Sequence, residues 1–508
     1  MTMNSKKDDL TIGIVGAGLM GRGIAQVSAT GGCAVKLYDV RKEPCEEAVS
    51  FIEGMLNRAA EKGRMSAEDA SAAIARIEIV ESMSAFADCD AVIEAATENL
   101  DIKRKIFDEL EATVGENVVL ATNTSSLSVT TVASSCRHPH RIAGFHFFNP
   151  VPLMKLVEVI DGVLTEPWVT DFLVDLGKRM GREPVRVADA PGFLVNQVGR
   201  GYNIEAAHLV TDGISTYADV DAIMRDAAGF RMGPFELMDL TALDVTHPAT
   251  ELIYQQFYHE PRYRPSHMMR SRMEAGLLGR KSKKGFYDYS GDQTEPAAAK
   301  ETPTYDGRPV WVSSRCPDAR GKVLDVLRAG NVAIDKGPTP SDDAVILITP
   351  LGTDATATAV AEGLDPERTL AVDTLFCLAK RRTLMKTAVT NADAVTAAEA
   401  ALTADGVPVT VIQDSPGFVT QRILGMIVNI GCSIAQQRTA LPEDIDKAVT
   451  LGLGYPRGPL AFGDHLGADR ILEILTSIHE LTGDPRYRPS PWLRRRAQLG
   501  RSLLTPEA

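Results

Sequence analysis

Short apolar runs alternate with longer amphipathic stretches along the first third of the chain. Thr11-Ile12-Gly13-Ile14-Val15 is a β-rich run, a helical pattern follows to about Thr30, and Ala34-Val35-Lys36-Leu37-Tyr38 is a second β-rich run. Ala91–Glu94 reads as a strand, 99–114 as a helix, 117–122 as a strand and 141–148 as the next strand. Strands alternating with helices predict a mostly parallel sheet, with ligands gathered at the carboxyl ends of its strands. Glu98, Asn123, Thr124, Ser125 and His146 fall at or near such ends. The hydroxyls of 123–127 suit a helix cap or a substrate oxygen equally. From Pro191 a long helical pattern runs to about Thr211 and sets Asn196 in an otherwise apolar turn. That pattern predicts a buried amide, which ties helix to domain or points at a ligand.

The stretch from His146 to Glu158 reads as two strands joined by a turn that Pro150 and Pro152 stiffen. His146 and Glu158 stand equally far from Pro152, six residues on either side. In an antiparallel pair that symmetry sets the imidazole opposite the carboxylate. A histidine so oriented suits a general base; taken alone it is equally a strand histidine whose hydrogen bonding is satisfied by its partner.

Gly16-Ala17-Gly18-Leu19-Met20-Gly21 lies between the first strand and its helix, the context a dinucleotide-binding loop requires. Gly16 permits the turn, Gly18 lets a pyrophosphate approach the backbone, and Gly21 lets helix and strand pack closely. The second strand ends at Asp39, an acceptor for the ribose hydroxyls of NAD that repels a 2′-phosphate. Arg41, two residues on, could hold the phosphate of NADP; the acid favours NAD.

Composition bounds the rest. The chain has 508 residues, enough for two to four domains, and 44% apolar content argues against disorder. A net charge of −13 without a long basic run gives no reason to expect nucleic-acid binding, so an anionic substrate would need a local basic patch. Seven scattered cysteines form no C-x-x-C, which fits a reducing cytosol and a cytoplasmic protein. Residues 1–9 are polar, Leu10–Val15 is too short for a signal segment, and no apolar run reaches membrane-spanning length. His138 and His140 near His146 lack a Cys or carboxylate to complete a metal set, so no metal is expected.

Taken together these segments resemble the 3-hydroxyacyl-CoA dehydrogenase family over roughly residues 10–290. The motifs are GAGLMG at 16–21, ATENL at 96–100, NTSSL at 123–127, GFHFFNPVPLMKLVEV at 144–159, PGFLVNQ at 191–197, GPFELMD at 233–239 and GRKSKKGFYDY at 279–289. The resemblance implies a Rossmann-type α/β domain followed by an all-α domain. It implies that His146 takes the proton of the substrate 3-hydroxyl while hydride leaves C3 for NAD, that Glu158 orients His146, and that Ser125 and Asn196 hold the substrate oxygens. For the cofactor it implies the glycine loop, Asp39, Glu98, Lys103, Asn149 and Lys281. For CoA phosphates, Arg58, Lys62 and Arg64, on or just after a helix beginning near Glu43, are candidates; a solvated helix face explains them equally well.

The last third repeats an earlier segment. Asp189-Ala190-Pro191-Gly192-Phe193 recurs 225 residues later as Asp414-Ser415-Pro416-Gly417-Phe418. Asp219-Val220-Asp221 and Gly233-Pro234 recur at the same offset as Asp444-Ile445-Asp446 and Gly458-Pro459, and 260–266 recurs 224 residues on as 484–490. Strands are predicted at 309–313, 344–349, 369–375 and 407–412, and 343–346 echoes 90–93. Arg315–Gly321 stands where a glycine loop should be, Asp373 replaces the histidine, and Gln421 replaces Asn196. The expected organisation is a Rossmann domain at 1–189, a helical domain at 190–290, a Thr-, Pro- and Ala-rich linker at 291–306, a degenerate Rossmann-like segment at 307–412 and a second helical domain at 413–508. The second copy should bind no dinucleotide and catalyse nothing. Because single-copy members of the family pair through their helical domains, 413–508 is expected to pack on 190–290 as an internal pseudo-dimer; further homo-oligomerisation stays open.

Long two-copy members resemble the dehydrogenases of phenylacetate breakdown that oxidise 3-hydroxyadipyl-CoA. The far carboxylate of that substrate asks for a cation. Arg200 lies four residues after Asn196, one turn along the same helix face. A structural ion pair with Glu205 or Asp212, or exposure to solvent, is the competing expectation for Arg200. The alternatives to an adipyl substrate are a short chain such as 3-hydroxybutyryl-CoA and a non-catalytic nucleotide-binding scaffold.

Overall fold

The computed structural model describes residues 9–291 and 302–507, so most of the expected linker lies outside the described residues. Two compact units emerge, the first made of Met1–Asn196 with Gln437–Leu453, the second of Gln197–Gln436 with Gly454–Ala508.

The first unit is built on eight strands: β1 Thr11–Val15, β2 Ala34–Tyr38, β3 Ile77–Ile79, β4 Ala91–Glu94, β5 Val119–Thr122, β6 Ile142–Phe147, β7 Leu156–Asp161 and β8 Glu183–Ala188. Their order is β3-β2-β1-β4-β5-β6-β7-β8. All neighbours are parallel except β6 and β7. β4, β5 and β6 are buried at every residue, which is why they read as continuous apolar runs rather than alternating ones. The helices Leu19–Thr30 and Pro167–Arg179 cover one face and bury Ile24, Val27, Phe172 and Leu173 against Ile12, Ile14, Phe145 and Val157. The segment 437–453 closes the β8 edge: Ala188 N donates to the Thr439 carbonyl at 2.8 Å, and the space beside Gly452 is filled by Leu156 and Val195.

The second unit carries a six-stranded sheet: β9 Val310–Val312, β10 Ile334–Asp335, β11 Val345–Ile348, β12 Thr369–Val372, β13 Arg382–Lys386 and β14 Val409–Ile412, in the order β10-β9-β11-β12-β13-β14. β12 and β13 are antiparallel and β13 and β14 parallel, which repeats the β6-β7-β8 arrangement. The echo of 90–93 at 343–346 is not a structural correspondence. β11 leads into the helix Ala355–Glu362, whose first amides bind Asp414; β5, not β4, leads into the helix Val129–Ala133, whose first amides bind Asp189. The four-residue match reflects composition common to buried parallel strands.

The helices of this unit surround Val419–Gln436, buried at every residue from Val419 to Ala435. Glu205, 1% exposed, accepts from Arg422 Nε at 2.7 Å and Tyr487 Oη at 2.6 Å, with Arg486 Nη1 at 3.3 Å. Burial alone would raise this carboxyl; the Arg422 and Arg486 guanidiniums outweigh it and hold it down to about 2. Among the described residues no helix is long and apolar enough to cross a membrane.

Candidate active site

The β6–β7 ladder pairs His146 directly with Glu158, as their symmetric spacing about Pro152 predicts. Glu158 Oε2 lies 2.7 Å from His146 Nδ1, and both side chains are buried. Since an ionised carboxylate only accepts, Nδ1 carries the proton and Nε2 of the neutral ring keeps its lone pair. The other oxygen of Glu158 accepts from the backbone amides of Leu194 at 3.1 Å and Val195 at 2.9 Å. Those amides are presented by the turn before the long helix, where Gly192 (φ 72°) and Phe193 (φ 50°) both adopt the left-handed conformation. That is strained for Phe193, and the site is where the strain is held. The rings of Phe148 and Phe193 flank the imidazole at 4.5 and 5.8 Å between centroids.

Ser125 is exposed on the loop after β5, next to Glu98. Glu98 Oε1 collects the Thr124 hydroxyl (2.7 Å), the amides of Ser125 (3.0 Å) and Ser126 (3.1 Å), and the Ser126 hydroxyl (2.9 Å). Burial would raise the Glu98 carboxyl; the Lys103 ammonium and these donors outweigh it and hold it below its ordinary value. Asn196 is only half-buried, against the expectation from its apolar surroundings. It stands at the first turn of the helix Val195–Thr211, where the helix end opens toward the Ser125 loop, and its Nδ2 reaches the Ser125 carbonyl at 3.4 Å.

The glycine loop has the geometry of a dinucleotide cradle. Gly16 has φ +102°, and a Cβ there would lie 2.7 Å from the Ala95 carbonyl; one on Gly21 would lie 1.7 Å from the Gly16 carbonyl. Gly18 differs, since a Cβ there would meet no atom within 4 Å. Among the described residues nothing demands glycine at 18, so its bareness serves whatever approaches from outside. The following helix has no side-chain cap and no acid in its first turn, leaving its positive end for an anion. Asp39 accepts from Ala17 N at 2.9 Å and, with Gly16, Tyr38, Ala96 and Ile102, lines a cavity of about 490 Å3. Arg41 is exposed beside it. These residues fit an adenosine with its pyrophosphate on the loop.

Other expected residues are more dispersed. Lys103 is 1% exposed and pinned between Glu94 (2.7 Å) and Glu98 (3.4 Å), so it steadies Glu98 from behind. Asn149 is exposed just beyond β6. Arg58 and Lys62 are exposed at the end of the helix Lys42–Glu61, as is Arg64 just beyond, with Arg58 Nε donating to the Gly54 carbonyl at 2.9 Å. In the second unit Lys281 pairs with Asp244. Arg200 is 7% exposed and donates to Thr250 Oγ1 at 2.6 Å and the Thr246 carbonyl at 3.2 Å. It is not solvated, and the carboxylates its spacing offered, Glu205 and Asp212, are engaged by Arg422.

The bonding roles of two residues escaped the sequence reading. Glu94, fully buried at the end of β4, accepts from Lys103 and from the Thr122 hydroxyl at 2.7 Å. An acid closing a wholly apolar strand was the available signal. Asn123 Oδ1 accepts from Phe147 N at 2.8 Å, locking the strand end beside His146.

Comparison with known proteins agrees with this geometry. The model of the 3-hydroxyacyl-CoA dehydrogenase NAD binding domain matches residues 11–190. That of the C-terminal domain matches twice, at 192–289 and 417–503. The chain is 36% identical to 3-hydroxyadipyl-CoA dehydrogenase of Escherichia coli K12, over 96% of this chain and 98% of that one. The crystal structure of 3-hydroxybutyryl-CoA dehydrogenase from E. coli K12 matches with a TM-score of 0.86 at 35% identity, over 96% and 98% of the two chains. That of (S)-3-hydroxybutyryl-CoA dehydrogenase from Ralstonia eutropha matches at 39% identity and a TM-score of 0.54, over 55% of this chain and 99% of the other. A paired imidazole and carboxylate beside a dinucleotide loop, matched along nearly the whole length, place this chain in the 3-hydroxyacyl-CoA dehydrogenase family of NAD-dependent oxidoreductases.

Proposed function

We propose that the chain oxidises 3-hydroxyadipyl-CoA to the 3-oxoacyl-CoA, with His146 as base, Glu158 as its orienting carboxylate, and Ser125 and Asn196 as donors to the substrate oxygens. The observation that carries the chemistry is the 2.7 Å contact between His146 Nδ1 and Glu158, which leaves Nε2 to accept a proton. NAD, when bound, supplies the hydride acceptor. His146 draws the proton from the 3-hydroxyl as the C3–H bond weakens, and returns it in reverse. Glu158 stabilises the imidazolium that forms, and its second oxygen is fixed by two backbone amides, so the pair cannot rotate away. Gly16, Gly18, Gly21 and Asp39 hold the cofactor, helped by Glu98 and Asn149.

The adipyl chain is favoured by the full-length similarity to 3-hydroxyadipyl-CoA dehydrogenase and by a buried cation, Arg200. The names of the two solved relatives support 3-hydroxybutyryl-CoA as the second reading. NADH formation on the two thioesters, measured side by side, separates them. A kcat/KM at least tenfold higher on 3-hydroxyadipyl-CoA is expected; parity, or preference for the butyryl chain, overturns the adipyl assignment.

The second copy serves as an internal partner for the first helical domain, in a cytoplasmic enzyme. Reciprocal ion pairs support this. Arg264 meets Asp484 at 3.3 Å and its counterpart Arg488 meets Glu260 at 3.4 Å, the signature of a two-fold contact within one chain.

A further inference from the structure

In each sheet the helix that follows the first strand carries arginine as its fourth residue. It is Arg22 in the helix Leu19–Thr30 and Arg320 in the helix Pro317–Ala329, and both are half-buried. Arg320 folds back on its own segment, where its Nε donates to the Val312 carbonyl at 3.1 Å. Arg22 makes no side-chain hydrogen bond and no ion pair among the described residues. Its guanidinium rests instead over the ring of Phe51, 3.9 Å from the centroid. That ring is 41% exposed. It steadies the cation without neutralising it, and leaves the guanidinium donors for an anion.

Helix geometry gives the direction. Side chains lean toward the N-terminus of their helix, so Arg22 leans over the turn that begins four residues back, at Gly18. That position is bare, since a Cβ there would meet no atom within 4 Å. On the helix Lys42–Glu61, Arg58 follows Phe51 by seven residues and Lys62, at the helix end, by eleven, which sets them two and three turns along the same face. A planar guanidinium without an anionic partner suits a phosphate. Gly18 favours a phosphate of the dinucleotide, and Arg58 with Lys62 favours one of the acyl-CoA.

We propose that Arg22, braced by Phe51, binds a phosphate of a nucleotide ligand, a role lost where the matching Arg320 turns onto its own strand. This rests on the reading of the site as one for a dinucleotide and an acyl-CoA, whatever the acyl chain. Arg22→Met keeps the apolar stem and removes the guanidinium. One arm compares ADP with adenosine as competitors of NADH, followed by its fluorescence. The other compares CoA with pantetheine as inhibitors of 3-hydroxybutyryl-CoA oxidation. Arg22→Met should weaken ADP or CoA about tenfold and leave adenosine and pantetheine within about twofold, and the ligand that moves names the source of the phosphate. Phe51→Leu, which removes only the brace, should weaken the same ligand about threefold. If ADP and CoA both keep their affinity in Arg22→Met, or each falls only as far as its phosphate-free partner, Arg22 is structural and the proposal is overturned while the reading of the site survives. A wild type that binds ADP no better than adenosine and CoA no better than pantetheine overturns both.

Discussion

At the end of β6 an imidazole faces a carboxylate; at the matching rung of the second sheet, Asp373 N bonds to the carbonyl of Thr383 at 3.1 Å. Asp189 and Asp414, each holding the start of a helix, together with the pairing of the strands beside them, fix the correspondence. By it Ser125 becomes Leu351, His146 becomes Asp373, Glu158 becomes Thr383 and Asn196 becomes Gln421. In the second copy the polar groups satisfy one another. Asp373 accepts from Gln421 Nε2 at 3.1 Å and from the Thr420 hydroxyl, and Gln421 accepts from Gly352 N at 2.8 Å. In the first copy no bond to His146 Nε2 is found among the described residues, Ser125 is exposed and Asn196 is half-buried. The nucleotide end differs in kind too. The helix Pro317–Ala329 carries Asp318 in its first turn, which repels a phosphate, where the helix Leu19–Thr30 carries no acid. The contrast separates two kinds of polar cluster: one closed on itself, and one that keeps hydrogen-bonding capacity at His146.

The largest effect is expected from removing that capacity. His146→Gln should lower kcat by about 10²- to 10⁴-fold, the usual loss on removing a positioned base. NAD affinity, followed by NADH fluorescence, should stay within about twofold, since the glycine loop and Asp39 are untouched. A near-normal kcat would remove His146 from the role and erase the distinction between the two clusters.

A second contrast reverses the direction, with the charge supplied by the second copy. Arg422 occupies the place of Gln197, and Ile430 that of Glu205. Glu205→Gln should destabilise the chain by about 3–5 kcal/mol, because it leaves buried guanidiniums uncompensated. The wild-type carboxyl titrates at about 2, below its ordinary 4.5. Its contribution is thus complete above about 4.5 and lost as pH falls toward 2. Chemical-denaturation curves of the two proteins should therefore converge on acidification. A constant gap down to pH 2 would contradict the assignment.

Much of this site was legible in sequence for a physical reason. The β6–β7 pairing is local, so twelve residues and two prolines fixed which side chains meet. The glycine loop was legible because steric demands on Gly16 and Gly21 leave no alternative residue. Asn196 was misjudged because an apolar neighbourhood in sequence says nothing of where a helix end opens. Glu94 and Asn123 went unassigned because their partners, Lys103 and Phe147, come from elements whose adjacency only the sheet order reveals. The echo of 90–93 at 343–346 misled because parallel-strand cores share composition. Glu205 was one of the partners that sequence spacing offered Arg200, five residues away, and the fold gave it to Arg422 instead, since a helix face is contested by residues hundreds of positions distant.

Arg200→Leu sharpens the comparison at intermediate size. Its counterpart is Gly425, so the substitution makes the first copy apolar where the second already is. KM for 3-hydroxyadipyl-CoA should rise about ten- to hundredfold, the worth of one charge-assisted contact, and the preference over 3-hydroxybutyryl-CoA should fall by the same factor. If KM rises equally on both thioesters, Arg200 supports the fold through Thr246 and Thr250 and does not read the acyl tail.

The smallest catalytic effect is expected where the second copy is cut at its own centre. Asp373→Asn keeps size and one acceptor but turns the other oxygen into a donor that faces the Thr420 hydroxyl or the Gln421 amide. Burial pushes the Asp373 carboxyl up, and hydrogen bonds from Thr420, Leu375 and Gln421 oppose the shift. Its folded value stays above the ordinary one, so its ionised form weakens the fold progressively as pH rises through that range, and the amide has no such charge to bear. Two effects then compete: a mispaired donor, costing about 1–3 kcal/mol, and relief from a buried charge. Stability should fall at low pH, where the wild-type carboxyl is neutral, and recover relative to wild type as pH rises. Throughout, kcat on either thioester should match wild type. A loss of turnover in a folded Asp373→Asn protein would mean that the second cluster is not closed on itself, and that the two copies share the chemistry after all.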